Sequence, residues 1–83
     1  MREIILDGQK LKDKETVHLY LKEKFQFPEY YGNNLDALMD CLTDLDETEI
    51  TIIDADISDV YTKKVLKVFD IAEREGEITV HIK

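Results

Sequence analysis

The sequence predicts an α/β fold of two layers, a three-stranded parallel sheet packed with three to four helices. Three short segments rich in β-branched residues, Arg2–Leu6, Glu49–Asp54 and Ile78–Ile82, are separated by stretches of helical period and not by tight turns. Connections of that kind are crossovers, and crossovers leave neighbouring strands parallel. The scale follows from composition. The chain has 83 residues, 43% hydrophobic and 36% charged, a mixture that folds. Area scaling gives a folded surface of roughly 5,000 Å², with about two-thirds of the extended chain's surface buried. Residues 1–83 therefore read as a single domain around one modest core.

Each element has a local reason. Arg2–Leu6 alternates as a strand and is closed by an Asp7-Gly8 turn. Asp13 caps a helix from Lys14 to about Phe25, with Val17, Tyr20, Leu21 and Phe25 on one side. Pro28 stops it and opens a short loop through Asn33. Asn34 is a good N-cap for a second helix, Leu35 to about Leu45. Glu49–Asp54 is the central strand candidate. Ser58 or Asp59 starts a third helix that runs to Glu75, with Val65, Val68, Phe69 and Ala72 as its apolar stripe. Gly76 is expected as that helix's C-terminal glycine. Ile78–Ile82 alternates as the last strand, and Thr79 and His81 fall on a face that can be wet.

Several functional classes drop out. The longest apolar run is three residues, as in Ile4-Ile5-Leu6, far short of a membrane span. Met1-Arg2-Glu3 leads into a strand and lacks a signal peptide's apolar stretch. With Cys41 as the single cysteine, no internal disulfide or CxxC metal site is possible, and the chain is expected either in a reducing cytoplasm or indifferent to redox state, with the cytoplasm as the expected location. A net charge of −8 disfavours nucleic acid as a direct partner, because phosphates are repelled.

The charge is concentrated. From Phe25 to Thr62 there is no Lys, Arg or His but ten acids, so this segment carries −10 and the rest of the chain +2. Such a surface serves either solubility or docking to a cationic partner. The second helix favours docking. At about 100° per residue, Leu35, Leu38, Leu42 and Leu45 share one face, and Asp36, Asp40 and Asp44 recur at i, i+4 and i+8 on the opposite one. Like charges at that spacing cost roughly 0.2–0.5 kcal/mol per pair, and Asp44 sits at the unfavourable end of the dipole. Local conflict of this kind tends to mark functional positions. Met39 and Thr43 lie beside the acidic stripe, where Met39 offers an apolar contact. Of the adjacent Tyr30 and Tyr31, one is expected to cover the core edge and the other to face a partner. Gly32 allows close approach.

These residues bring a family into view. Pro28-Glu29-Tyr30-Tyr31-Gly32, Asn34-Leu35-Asp36-Ala37-Leu38 and Asp40-Cys41-Leu42-Thr43 resemble the signature of the barstar family, inhibitors of secreted barnase-type ribonucleases. Val65-Leu66, Val68-Phe69, Glu75-Gly76 and Ile78-Thr79 are similar to its last helix and strand. The resemblance covers nearly the whole chain. It implies a barstar-like sheet backed by helices, and inhibition by plugging a nuclease cleft with the second helix and the loop before it. It further implies that Asp40 takes the phosphate site, Asp36 pairs with another cation and Tyr30 packs on a catalytic histidine. Gly32 and Asn34 shape the loop, Thr43 lies at the contact edge and Glu75 adds an acidic contact. Leu35, Met39 and Asp44 complete the expected partner-binding set. Met39 and Leu45 stand where the best-known member has tryptophans, Asp44 replaces a glycine and Ile71 an acidic contact. The family's second cysteine is missing.

Other signals are bland. Asp54, Asp56 and Asp59 lack the glycine and distal glutamate of a calcium loop and read as strand-end and capping residues. Cys41 with His18 is not a convincing nucleophile and base. Cys41 is expected as a small buried thiol, and His18 and His81 as surface or edge residues. Neither cofactor nor metal is implied. The expected activity is non-enzymatic inhibition of a basic extracellular-type ribonuclease, by a protein that is a monomer when free. The alternative is an acidic docking module for a basic protein that is not a nuclease.

Overall fold

The computed structural model describes residues 2–83. Its elements in order are β1 (Arg2–Asp7), a one-turn 3-10 helix (Gly8–Leu11), α1 (Lys14–Phe25), α2 (Leu35–Thr43), β2 (Thr48–Ile53), α3 (Val60–Glu75) and β3 (Ile78–Ile82). The strands form one parallel sheet in the order β1-β2-β3. Pairing sets Ile4 beside Ile50 and Val80, and Leu6 beside Ile52 and Ile82. Strand side chains alternate, so this row and Ile78 point toward the helices. The reverse face carries Ile5 beside Thr51 and His81, and Glu3 beside Glu49 and Thr79. That face is open to water: Ile5 is 59% exposed, and His81 Nε2 lies 3.3 Å from Glu49 Oε1.

The core lies between sheet and helices. Leu6, Leu11, Leu21, Leu38, Leu42, Ile50, Ile52, Val65 and Phe69 are fully buried in it. The accessible surface of 5126 Å² matches the area expected of a folded chain this size. Three aspartate or asparagine caps anchor the helices as the sequence indicated. Asp13 accepts from the Thr16 N–H, Asn34 from the Ala37 N–H and Asp59 from the Thr62 N–H, at 3.1, 2.8 and 2.9 Å.

Three expectations are corrected, and a fourth, Gly76, holds for a partly different reason. The Asp7-Gly8 turn is the start of the 3-10 helix, whose first N–H groups Asp7 caps by accepting from Gln9 N–H at 3.0 Å. Gly8 is required by space, since a Cβ there would fall 2.4 Å from the Ala55 backbone. Helix α2 ends at Thr43, two residues early, and Asp44 is its cap. The Thr43 hydroxyl donates back to the Met39 carbonyl at 3.0 Å. Gly76 is the C-terminal cap of α3 as expected, its N–H bonding the Ala72 carbonyl at 2.8 Å, although its φ of −116° is not left-handed. Its constraint is close packing, because a Cβ would stand 3.2 Å from Thr43 Cα. Finally, His18 is not a surface residue. The buried stripe of α1 is Val17, His18, Leu21 and Phe25, rotated away from Tyr20. Tyr20 is half-buried, and its hydroxyl accepts from the Asp7 N–H at 2.8 Å.

Candidate functional site: an acidic helix and its entry loop

Helix α1 ends at Gln26 in the left-handed region, φ 57°, and Phe27 N–H returns to the Lys22 carbonyl at 3.0 Å. Phe27 is thereby turned inward, 5.3 Å from Phe25 and 4.9 Å from Tyr31 between ring centroids. Tyr31 N–H then bonds the Pro28 carbonyl at 3.0 Å, closing a turn. The two tyrosines separate at this point: Tyr31 is 6% exposed and Tyr30 is 88% exposed. Asn34 fixes the exit. Its Oδ1 caps α2 while its Nδ2 donates to the Gly32 carbonyl at 3.1 Å. A Cβ on Gly32 would lie 3.1 Å from that same Nδ2, so the glycine makes room for the capping amide.

Helix α2 seats Leu38 and Leu42 in the core. Leu35, Met39, Cys41 and Leu45 pack half-buried against it, and Asp36, Asp40 and Asp44 are exposed. Among the described residues, the ion pairs are Lys12–Asp56, Lys22–Glu29, Arg74–Asp70 and His81–Glu49. None involves the three aspartates, so no direct ion pair offsets the mutual repulsion along the helix. Glu75 is exposed at the end of α3, where Gly76 brings that end against Thr43.

A groove of about 390 Å³ runs along one side of α2. Tyr30, Phe27 and Pro28 of the loop line it with Asp40, Cys41, Asp44 and Leu45, and Arg2 of β1 borders it as its one cation among the described residues. The exposed tyrosine and the central aspartate thus border one depression. Phe27, Pro28 and Leu45 were missed as site neighbours, because the groove needs the end of α1 placed beside α2. Asp36 faces a second depression, shared with Lys14, Tyr61 and Lys64. Cys41 is half-buried and not fully buried. Burial, and then the charges of Asp44 and Asp40, push its thiol pKa up, which suppresses the nucleophilic thiolate. His18 cannot serve it as a base. Its Nδ1 lies 2.7 Å from the Tyr31 hydroxyl and its Nε2 2.7 Å from the Tyr61 hydroxyl. Asp56 and Asp59 have structural roles: Asp56 accepts from Ser58 N–H at 3.0 Å, and Asp59 caps α3. Among the described residues no three His, Cys, Asp or Glu side chains are grouped to hold a metal ion. Nor is any described helix long and apolar enough to cross a membrane.

Fold and surface together define a class: a small parallel-sheet α/β protein that presents an acidic helix and an exposed aromatic loop. Within that class the chain belongs to the barstar family, described as barstar (barnase inhibitor), whose profile matches residues 1–79. It is similar to a Bacillus subtilis (strain 168) protein named "Putative ribonuclease inhibitor YrdF", with 49% identity over 53 residues. The match covers 64% of this chain and 58% of that relative's length.

Proposed function

We propose that the protein is a non-enzymatic inhibitor of a small basic ribonuclease of barnase type, acting as one domain that covers the nuclease active site. The observation that carries this reading is the row of unpaired Asp36, Asp40 and Asp44 beside the fully presented Tyr30. An RNA-cleaving cleft must hold cations that bind phosphate. A carboxylate at Asp40 mimics the phosphate charge and accepts charge-assisted hydrogen bonds from arginine and histidine. Asp36 meets a second cation, and Tyr30 lays its ring on the catalytic imidazole. Leu35 and Met39 supply apolar contact, with Thr43, Asp44 and Glu75 at the rim. Gly32 and Asn34 hold the loop in shape. Family membership and the inhibitor name of the relative support the same reading. In this role the protein works in the cytoplasm as a free monomer and protects the cell that makes the nuclease.

The test is an activity titration against barnase and a panel of other small basic secreted ribonucleases. Stoichiometric loss of RNA cleavage with at least one of them is expected. Tight binding that leaves cleavage untouched would favour the acidic docking module instead.

A further inference from the structure

Between Pro28 and Asn34, Tyr31 is the one residue whose side chain is buried. Besides the Pro28 turn and the Asn34 cap, the seating of that ring is what anchors the loop to the core. Its hydroxyl meets His18 Nδ1, and the other ring nitrogen meets the Tyr61 hydroxyl, both at 2.7 Å. His18 itself is 1% exposed. A neutral imidazole has one N–H and one lone pair. One tyrosine must accept and the other donate, so the run Tyr31–His18–Tyr61 is directional and closed. It ties the loop to α1 and to the first turn of α3, elements far apart in sequence. A position needing only volume would be filled as well by an apolar side chain. A satisfied polar run instead selects a single orientation of the groups it joins.

We propose that His18 is a positioning residue for partner binding: by holding the Tyr31 hydroxyl it fixes Tyr30 and the start of α2 in the presented geometry. This rests on the loop and α2 being the contact surface. The charged and titratable groups around the run are Lys14 on the same helix, Cys41 of α2 facing Tyr31, and Lys64 and Asp36 at the depression beside Tyr61.

The experiment compares Tyr31→Phe, His18→Leu, His18→Asn and Tyr61→Phe. Amide exchange in the free protein is read at Tyr31 and Ala37, whose N–H groups close the loop turn and the α2 cap. Dissociation is read from barnase, or from the ribonuclease that the panel above identifies, with Asp40→Ala in parallel. Tyr31→Phe and His18→Leu should speed exchange at those two amides. They should also raise the dissociation rate by about tenfold, with little change in association. His18→Asn, whose amide sits where Nδ1 was, should restore much of the slow dissociation. Tyr61→Phe should give a smaller effect of the same kind, and it keeps the test open if the His18 variants fail to fold. If Asp40→Ala releases the nuclease while Tyr31→Phe and Tyr61→Phe hold it as the wild type does, the positioning role is overturned. If Asp40→Ala leaves inhibition intact, the contact surface has been misassigned, and exchange in the free protein still decides whether the run holds the loop.

Discussion

At the scale of single residues, His18 and Asp40 show how one protein treats charge in two opposite ways. His18 is buried, and burial followed by the nearby Lys14 charge lowers its pKa from the ordinary 6.5. The unfolded chain then binds a proton at a higher pH than the folded one, so acid favours unfolding. This contribution to stability is complete above pH 6.5, the ordinary histidine value. It is lost progressively as pH falls from there toward the folded-state value. Urea midpoints measured across that window should decline on acidification, and His18→Leu should flatten the decline. Asp40 is exposed and repelled by Asp36 and Asp44. Asp40→Ala should therefore hold or raise the melting temperature, since each like-charge pair costs roughly 0.2–0.5 kcal/mol and Ala is the better helix former. A sharp fall in the thermal midpoint would make Asp40 structural. Met39 borders the core without filling it, so Met39→Ala should cost less than the roughly 2–5 kcal/mol of a fully buried methionine. A larger loss by denaturant titration would remove it from the contact set.

At the scale of elements, the two outer strands each have an outward N–H closed by a side chain. Tyr20 takes the Asp7 N–H of β1, and the Glu73 carboxylate takes the Val80 N–H of β3 at 2.8 Å. Open sheet edges invite pairing with other chains. Glu73→Ala should lower stability by about 1 kcal/mol and make sedimentation concentration-dependent, whereas Glu73→Gln should do neither strongly. The same elements show what the sequence could and could not reveal. Strands, helices and caps were readable because their signals lie within three or four residues, as at Asp13, Asn34 and Asp59. The acidic face of α2 was readable from helical period alone. The fate of His18 was not, because its partners are 13 and 43 residues away. Gly76 was readable as the glycine that ends α3, but its close packing against Thr43 of α2 was not. The Tyr30-Tyr31 pair was expected to split, and only the family resemblance pointed to Tyr30 as the outward ring, because the local sequence does not show the packing of Tyr31 against Phe27 and His18. The groove beside Asp40 likewise exists only once α1 and α2 are packed.

At the scale of the whole molecule, the charge asymmetry has a direction. Asp46, Glu47 and Glu77 gather with Asp44 around one depression that Arg2 also lines, continuing a net acidic surface past the end of α2. Glu49 belongs to the same acidic segment but lies on the open sheet face, paired with His81. Neutralising Asp46 and Glu47 should thus slow association with a cationic nuclease more than neutralising Glu49 does. Long-range attraction of this kind is screened over about 8 Å at 0.15 M salt and about 3 Å at 1 M. Stopped-flow association rates should fall steeply across that range, and dissociation rates should change less. An association rate indifferent to salt would leave the acidic surface a solubility device. The central claim, that α2 and its loop occupy a ribonuclease active site, is tested most directly by titrating RNA cleavage by barnase-type enzymes with the wild type and with Asp40→Ala. Complete inhibition at one-to-one stoichiometry by the wild type, largely lost in a variant that still folds, is the predicted result. Equal inhibition by both proteins, or a complex in which RNA is still cut, would contradict it.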